Sequence, residues 1–289
     1  MSRMRLEDKV SIQIDLHVHS KVSKAIPFDL SSFERTAGRA MKVGLDGFAV
    51  TEHIHSFDYW RAMGVLAARF EHDNGVLRVG KRGFPVLTGM ELSVAIGEER
   101  GDTIVIGPIE KLWALDHSFS PTLNEGYHPS LEEAISQIRK LGLIVIGAHA
   151  FRPGKMLSQV GENALAQLDA LEVNGKDMAD WRADETIVPL AKKLGLAVVG
   201  SSDAHLWPQV GVQRTVVPGT DVSFGALKEA ISARETAFAS HPNCRTLVRV
   251  SKAHKTIIKA RIGRTSGQTQ TVPRTPRRVI RRSRRLAPA

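Results

Sequence analysis

The chain has 289 residues, of which 42% are hydrophobic, and a formal net charge of +10 at pH 7. That length allows one large α/β domain or two small domains, and the apolar fraction is sufficient for a sizeable core. The single cysteine, Cys244, excludes an intrachain disulfide, and no run reaches the roughly 18 apolar residues of a transmembrane helix. The first residues lack the apolar segment of a signal peptide, so we expect a cytoplasmic protein.

Positive charge is concentrated at the C-terminus. Residues 245–289 hold 14 of the 40 Lys and Arg residues and none of the 30 Asp and Glu residues, so residues 1–244 carry a net charge of −4. We therefore predict a domain at 1–244 and a basic tail at 245–289, largely disordered apart from a basic helix at 248–262. Such a tail can bind nucleic acid or another anionic surface, or it can be a solvated extension.

In the first half of the chain, apolar runs alternate with helical patterns. We predict strands at 10–18, 47–51, 84–90 and 103–107, and helices at about 30–44 and 57–71. Polar residues accompany the strand ends, namely His17, His19, Glu52, His53, His55 and Glu91. The stretch from Glu110 to Tyr127 has no clear period and is predicted to be a long loop.

The second half continues the alternation. Ser130 and Glu133 form a capping box that predicts a helix at 130–141. Further strands are predicted at 143–148, 169–173, 196–201 and 236–239, and further helices at 178–194 and 222–233. Four more polar residues follow these strands, namely His149, Asn174, Asp203 and His205.

About seven β-then-α units with short apolar strands indicate a parallel sheet closed into a barrel, with an open doubly wound sheet as the alternative. The polar residues favour the barrel, because α/β barrels place their sites at the C-terminal ends of the strands. Side chains two residues apart on a strand share a face, so His17 and His19 can converge as a pair of metal ligands. Taken alone, their spacing also fits ordinary strand-end histidines.

Five short pieces carry a family resemblance. D-L-H-V-H-S at 15–20, T-E-H at 51–53, G-M-E-L at 89–92, G-A-H at 147–149 and S-S-D-A-H at 201–205 occur in this order. Together they resemble the PHP domain of polymerases, histidinol phosphatases and free-standing metal-dependent phosphoesterases. The resemblance covers roughly residues 10–240, and the ordered set is specific although no single piece is.

This resemblance implies a distorted (βα)7 barrel that binds two or three divalent metal ions at its C-terminal rim and hydrolyses phosphate esters. The residues that match family ligands are His17 and His19 of the first motif, Glu91 as the bridge between two metals, His149 for the second metal, Asp203 for the first metal, and His53 and His205 for the third. Such mixed ligands suit zinc, manganese or iron. Two ions can hold a hydroxide and clamp both the attacking and the leaving oxygen of an in-line displacement.

The chain departs from the family pattern in three places. Ser23-Lys24-Ala25 replaces the usual acidic residue or histidine, and the Lys24 ammonium can stand at the third cation's place or meet a substrate phosphate. Glu52 replaces the usual aspartate of the second motif. Asp102 is the candidate for a histidine missing after Glu91, and His117 is a weaker one. We therefore expect two metals more firmly than three.

Other polar residues are candidates to support the ligands or to contact substrate. Asp15, Ser202, Asn174 and His55 can lie behind the ligands, and Asp15 can accept the second N–H of an imidazole. His55 is alternatively a proton donor to the leaving group or a surface residue. Arg152 can make a bidentate contact to phosphate or a salt bridge at the rim.

The sequence therefore predicts a metal-dependent phosphoesterase that acts on a small phosphomonoester, with nucleotides among the candidate substrates. Two alternatives stay open. One is a 5′–3′ exonuclease that holds nucleic acid through the tail. The other is a catalytically decayed PHP domain that binds anions through its basic tail.

Overall fold

The computed structural model describes residues 10–119, 123 and 126–265, with side chains described up to residue 261. The chain divides into two units, Met1–Lys255 and Thr256–Ala289, and the first unit contains every strand that is described. The disorder predicted for the tail falls mostly beyond residue 265 and so outside the described residues. Among the helices that are described, none is both long and apolar enough to cross a membrane.

The strands of the described residues form one sheet, in the order β11-β10-β1-β2-β5-β6-β7-β8-β9, with a β3–β4 hairpin attached to β5. They are β1 (Ser11–Val18), β2 (Gly47–Val50), β3 (Glu71–Asp73), β4 (Val76–Val79), β5 (Phe84–Ile96), β6 (Glu99–Ile106), β7 (Ile144–Ala148), β8 (Ala170–Asn174), β9 (Ala197–Ser201), β10 (Gln213–Pro218) and β11 (Ala237–Ser240).

The sheet curls into a nearly closed barrel, as predicted. Beyond β9, Ala204 donates its backbone N–H to the carbonyl of His17 at 3.2 Å, and its carbonyl accepts from the backbone N–H of His19 at 2.8 Å, which joins the end of β9 to β1. The expectation of a parallel sheet is wrong at six pairs, because β1–β10, β10–β11, β3–β4, β4–β5, β5–β6 and β6–β7 are antiparallel. A tight β5–β6 hairpin, rather than a crossover helix, joins those two strands and forces the reversal of β6.

Two apolar clusters hold the barrel together. The larger one packs the outer faces of the strands against helices, for example Phe48 against Phe33. The second contains alternate strand residues such as Leu87 and Val199. The same alternation brings Glu91, four residues after Leu87 on β5, to the inner face, and Asp203 follows two residues after the end of β9. The polar site therefore lies directly above an apolar barrel interior.

Helices cover the outside of the sheet, and several begin at the expected side-chain caps. The Asp29, Ser130 and Ser223 side chains accept the backbone N–H of Ser32, Glu133 and Ala226. The helices are α1 (Leu30–Lys42), α2 (Tyr59–Arg69), α3 (Ile109–His117), α4 (Leu131–Lys140), α5 (Glu162–Leu165), α6 (Gly175–Asp180), α7 (Asp184–Leu194), α8 (Phe224–Ala233) and α9 (Cys244–Thr265). The helix predicted within the basic tail corresponds to α9.

Two helix predictions are wrong. The predicted loop from Glu110 to Tyr127 contains α3, which buries only Leu112, Leu115 and Asp116 and is too short to show a clear period. The single helix predicted at 178–194 is two helices, α6 and α7, because the chain is extended at Trp181. The helix α6 also starts earlier than predicted, at Gly175, where the Asn174 side chain caps it.

Three strands were missed. The hairpin of β3 and β4 turns through Asn74 and Gly75, both with positive φ, and Asn-Gly is the sequence signal for this turn. The strand β10 alternates buried and partly exposed residues along its length. Strand β5 is also longer than predicted, so Glu91 lies in mid-strand, and Asp102 lies within β6 beside Ser93.

Candidate metal centre

The barrel brings the predicted ligand residues together from separate strands. The residue His17 lies within β1 and His19 immediately after it, and both are almost completely buried. The pairing of β1 with β2 shifts register between Asp15 and Val18, at the point where the two histidines enter the site. The residues that converge there are His17, His19, Glu52, His53, Glu91, Asp102, His149, Asp203 and His205.

Glu91 occupies the centre of this group. Its Oε2 lies 3.7 Å from His17 Nε2 and 3.6 Å from His19 Nε2, and it also contacts His53 Nδ1. Its Oε1 lies 3.2 Å from His149 Nε2 on the other side. The two carboxylate oxygens therefore face different sets of imidazoles, which is the arrangement that a bridging carboxylate requires.

Asp203 occupies the opposite side of the site and has a different environment. Its Oδ1 lies 3.2 Å from His19 Nε2 and 3.5 Å from His205 Nδ1, and it accepts from Lys176 Nζ at 2.6 Å. Its Oδ2 accepts from Arg152 Nη1 at 2.7 Å. Both oxygens of Asp203 are therefore already paired with cationic side chains of the chain itself.

Three groups of side chains within the described part of the chain place ligand atoms within 4.8 Å of one another. We name them the first position (His17, His19, Asp203), the second position (Glu91, Asp102, His149) and the third position (His19, His53, His205). The first two combine imidazole nitrogens with carboxylate oxygens, whereas the third consists of imidazoles only. Mixed nitrogen and oxygen ligands suit zinc, manganese and iron.

Several buried polar atoms at these positions lack a well-aligned hydrogen bond within the described part of the chain. They include His17 Nε2, both ring nitrogens of His19, and Glu91 Oε2. Buried polar atoms are rarely left in this condition, because their desolvation is costly. Nitrogens and carboxylate oxygens that face each other without hydrogen-bond alignment fit atoms arranged around a cation, so the residues present fit a divalent metal site.

Two carboxylates of the site, Glu91 and Asp203, have lowered pKa values. Burial opposes the charge of Glu91, but His53, His149 and His17 together hold its pKa well below the usual range. Burial likewise opposes the charge of Asp203, and Lys176, His17 and Arg152 hold its pKa well below the usual range. Both groups are therefore anionic at neutral pH, the form in which a carboxylate ligates a metal ion.

Glu172 is a site residue that the sequence analysis missed. It is buried on β8 and accepts a hydrogen bond from His17 Nδ1 at 2.9 Å and from the backbone N–H of His149 at 2.7 Å. Burial opposes its charge, but His17 lowers its pKa to about 2. Glu172 therefore orients the His17 ring so that Nε2 faces the site. The sequence signal that could have identified Glu172 is its position two residues before Asn174, on the same face of the strand.

Asp15 does not take the orienting role considered for it. Its carboxylate accepts backbone N–H groups of Ser202 at 2.9 Å and Gly211 at 2.8 Å, and burial raises its pKa to about 6. It therefore joins β1 to the segment that carries Asp203. The Ser202 hydroxyl accepts from the Ala204 backbone N–H, so this residue shapes the same segment.

Two candidate ligands, His149 and Asp203, have backbones in the left-handed region, with φ of 31° and 53°. This conformation is unfavourable for residues other than glycine. The backbone N–H of His149 donates to Glu172, and the Asp203 carbonyl accepts from Gln209 Nε2 at 3.1 Å. Neighbouring side chains thus hold both strained turns and direct the two ligands into the site.

Arg152 is held inside the site by protein groups. Besides Asp203, its guanidinium donates to Asp177 Oδ1 at 2.8 Å and to Asn174 Oδ1 at 2.7 Å. Of the two roles considered, the structure places Arg152 in salt bridges. Lys155 and Lys176 were missed, and Lys155 donates to Asp102 Oδ1 at 3.0 Å.

Glu52 lies beside His19, with Oε1 3.7 Å from Nδ1, and none of the three positions includes it. His19 and its neighbours lower the pKa of Glu52 to about 2 against the effect of burial. Lys24 is exposed, and its backbone carbonyl accepts from Lys21 Nζ at 3.4 Å. His117 is on α3, where its Nδ1 lies 2.9 Å from the Trp113 carbonyl, and it is likewise in none of the three positions.

His55 lies beside the site with its Nδ1 against the Leu123 carbonyl and its ring 4.4 Å from that of His128. Burial and the neighbouring His128 lower its pKa to about 4. Because Nδ1 donates to the carbonyl, Nε2 carries no proton at neutral pH. The role of proton donor to a leaving group is therefore not favoured by this environment.

Comparison with known families supports the barrel assignment. The family model PHP_C, described as PHP-associated, matches residues 183–236, which include α7, β9 and the segment of Asp203 and His205. No curated protein matches the chain significantly.

Solved structures provide longer matches. PsfC from Pseudomonas syringae PB-5123 is 30% identical with a TM-score of 0.71, over 86% of this chain and 99% of PsfC. The lesion-specific endonuclease PfuEndoQ from Pyrococcus furiosus is 23% identical with a TM-score of 0.58, over 78% of this chain and 56% of the endonuclease. A two-domain protein from Bacteroides vulgatus that contains a predicted PHP-like metal-dependent phosphoesterase is 19% identical with a TM-score of 0.52, over 83% of this chain and 68% of that protein. With its motifs, its barrel and these matches, the chain belongs to the PHP superfamily.

Proposed function

We propose that the protein is a metal-dependent phosphoesterase that hydrolyses a small phosphomonoester, with nucleotides among its candidate substrates. The observation that supports this proposal is the set of buried, unaligned ligand atoms around Glu91. We propose that the first position holds one divalent ion, the second position holds another, and Glu91 bridges them. Zinc, manganese and iron are the ions that the ligand set favours.

Bound divalent ions supply positive charge to the phosphoryl oxygens and lower the pKa of water. The protein's own residues orient this arrangement. Glu172 holds the His17 ring, and Arg152 holds Asp203 through a charge-assisted hydrogen bond. Arg152 is thus a positioning residue in this proposal, and the exposed ammonium of Lys24 is free to meet the substrate phosphate at the rim.

The test combines metal content with hydrolysis. We expect about two ions per chain by elemental analysis, and manganese-dependent hydrolysis of an aryl phosphate. The double variant His17→Ala with His19→Ala should lose both properties. A matched control, His72→Ala with His254→Ala, removes two exposed histidines and should keep both. Absence of bound metal together with absence of activity under every added ion would contradict the enzyme and support a decayed site.

A nuclease activity is the second candidate, because α9 carries Arg245, Arg249, Lys252 and Lys255 with no acidic residue between them. The Lys255 charge also contributes to lowering the pKa of His205, after burial, His19 and Lys176. The similar fold of the endonuclease from Pyrococcus furiosus is compatible with a nucleic acid substrate.

Salt dependence separates the two candidates. Binding of a single-stranded oligonucleotide through basic side chains should weaken steeply as salt rises, because counterions are released on binding. Hydrolysis of an aryl phosphate should change little over the same range. If the full-length protein neither binds nor cleaves the oligonucleotide at low salt, the nuclease candidate is wrong.

The buried, free thiol of Cys244 suits the expected cytoplasmic location.

A further inference from the structure

The Lys176 ammonium lies inside the metal centre. Its Nζ is 2.6 Å from Asp203 Oδ1 and 3.3 Å from His205 Nδ1. The side chain is only 17% exposed. Lys176 is the second residue of α6, and the Asn174 side chain accepts its backbone N–H at 2.9 Å. The chain therefore builds a cation into the site from a well-defined helix start.

The Lys176 ammonium lies beside the third position, because it contacts His205. The members of that position, His19, His53 and His205, include no carboxylate, and the rings of His19 and His205 are only 3.9 Å apart between centroids. A divalent ion bound there would need a nitrogen from His205 and negative charge from a neighbouring carboxylate such as Asp203, whose Oδ1 lies 3.5 Å from His205 Nδ1. Lys176 already contacts both residues, and its positive charge would repel an ion held by them.

Lys176 also pairs with Asp203 of the first position, but its other contact, His205, belongs to the third position alone. The first and second positions each contain a carboxylate among their members, and Glu91 Oε2 has no aligned hydrogen bond. Lys155 contacts Asp102 through Oδ1, whereas Asp102 Oδ2 faces His149 Nε2 at 3.9 Å. The Lys155 ammonium therefore pairs with one oxygen of Asp102 and leaves the other, Oδ2, facing the site.

We infer that Lys176 takes the place of a third metal ion, so that the loaded centre contains two divalent ions and one ammonium group. This inference rests on the proposed function. Lys24 is the lysine that the motif pattern suggested for such a role, but its side chain is exposed, whereas the Lys176 ammonium contacts His205.

The test is the number of metal ions in matched variants of the full chain. Lys176→Met keeps most of the side-chain length and removes the charge, and Lys176→Arg keeps the charge. After saturation with manganese and removal of free ions, we expect about two ions per chain in the wild type and in Lys176→Arg. We expect about three in Lys176→Met. Mass spectrometry of the intact, folded protein counts the ions directly, without reference to activity.

Lys155→Met is the matched control, because Lys155 also pairs with a site carboxylate but does not contact the third position. It should keep about two ions. Three ions in the wild type, or two in Lys176→Met, would overturn the inference while leaving the phosphoesterase proposal intact. A wild type without bound ions would instead overturn the phosphoesterase proposal and, with it, this inference. If Lys176→Met does not fold, Lys176→Gln provides the same comparison.

Discussion

The two central carboxylates of the site, Glu91 and Asp203, are equally buried but differently paired. Glu91 faces imidazoles, and one of its oxygens has no aligned hydrogen bond. Asp203 accepts from Arg152 and Lys176, one cation on each oxygen. The difference indicates that Glu91 is available to bind metal ions, whereas Asp203 also neutralises the charges of Arg152 and Lys176 inside the site.

The largest effect is expected for Glu91→Gln, which keeps the shape of the side chain but removes its charge. Metal ions supply several kcal/mol of transition-state stabilisation, so loss of the bridging charge should lower kcat/KM on an aryl phosphate by about 1,000-fold or more. The matched control is Glu162→Gln, an exposed glutamate that pairs with Lys193. Near wild-type activity in Glu91→Gln would remove Glu91 from the proposed metal bridge.

Asp203→Asn should affect the metal-free protein more than Glu91→Gln does. The amide carries no charge, so Arg152 and Lys176 lose the carboxylate that they share, although Arg152 keeps Asp177 and Asn174. This loss should lower the free energy of unfolding by about 3 kcal/mol. The measurement is denaturant unfolding in the presence of a chelator, where Glu91→Gln should cost less, because the groups that face Glu91 are imidazoles, which can release a proton when the carboxylate charge is removed. Equal losses in the two variants would show that the contrast between the carboxylates is incorrect.

Glu172→Gln should weaken metal binding without removing a ligand. The substitution places an amide where His17 Nδ1, Ser201 Oγ and the His149 N–H all donate, so the His17 ring loses its orientation. Loss of such a partner behind a ligand typically lowers metal affinity about 10- to 100-fold, measurable by titration with manganese. Glu133→Gln, which changes a carboxylate that accepts a hydrogen bond from Tyr127 Oη, should bind as the wild type does. Unchanged metal affinity in Glu172→Gln would show that Glu172 does not orient a metal ligand.

The smallest effects concern the backbone beside Glu91. Gly89→Ala places a Cβ 2.7 Å from the Val105 carbonyl oxygen and 2.9 Å from Thr51 Cγ2, so it should lower the free energy of unfolding by about 1–3 kcal/mol. Gly64→Ala, in the interior of α2, meets nothing within 4 Å and should raise it by about 0.5–1 kcal/mol. Thermal unfolding compares the two variants. A neutral Gly89→Ala would mean that the strands beside Glu91 tolerate wider spacing than the structure has.

Most of the barrel and most of the site residues could be predicted because their signals are local. Short apolar runs predicted most of the barrel strands, and paired polar residues at their ends predicted the convergence of His17, His19, His149 and Asp203. The direction of β6 was not predictable in this way, since an apolar run is the same for parallel and antiparallel pairing. That reversal is why Asp102 and Glu91 reach the same rim from adjacent strands.

By itself, the sequence determined the family, the alternation of strands and helices, and the chemical types of ligand that meet at one end of the barrel. Only the tertiary structure decided which charges face each other: Glu172 on His17, Arg152 and Lys176 on Asp203, and Lys155 on Asp102. Those partners are 27 to 155 residues apart along the chain. Side-chain pairing over such separations depends on how the strands are ordered and how far each charge is buried, and neither quantity is encoded in a local pattern.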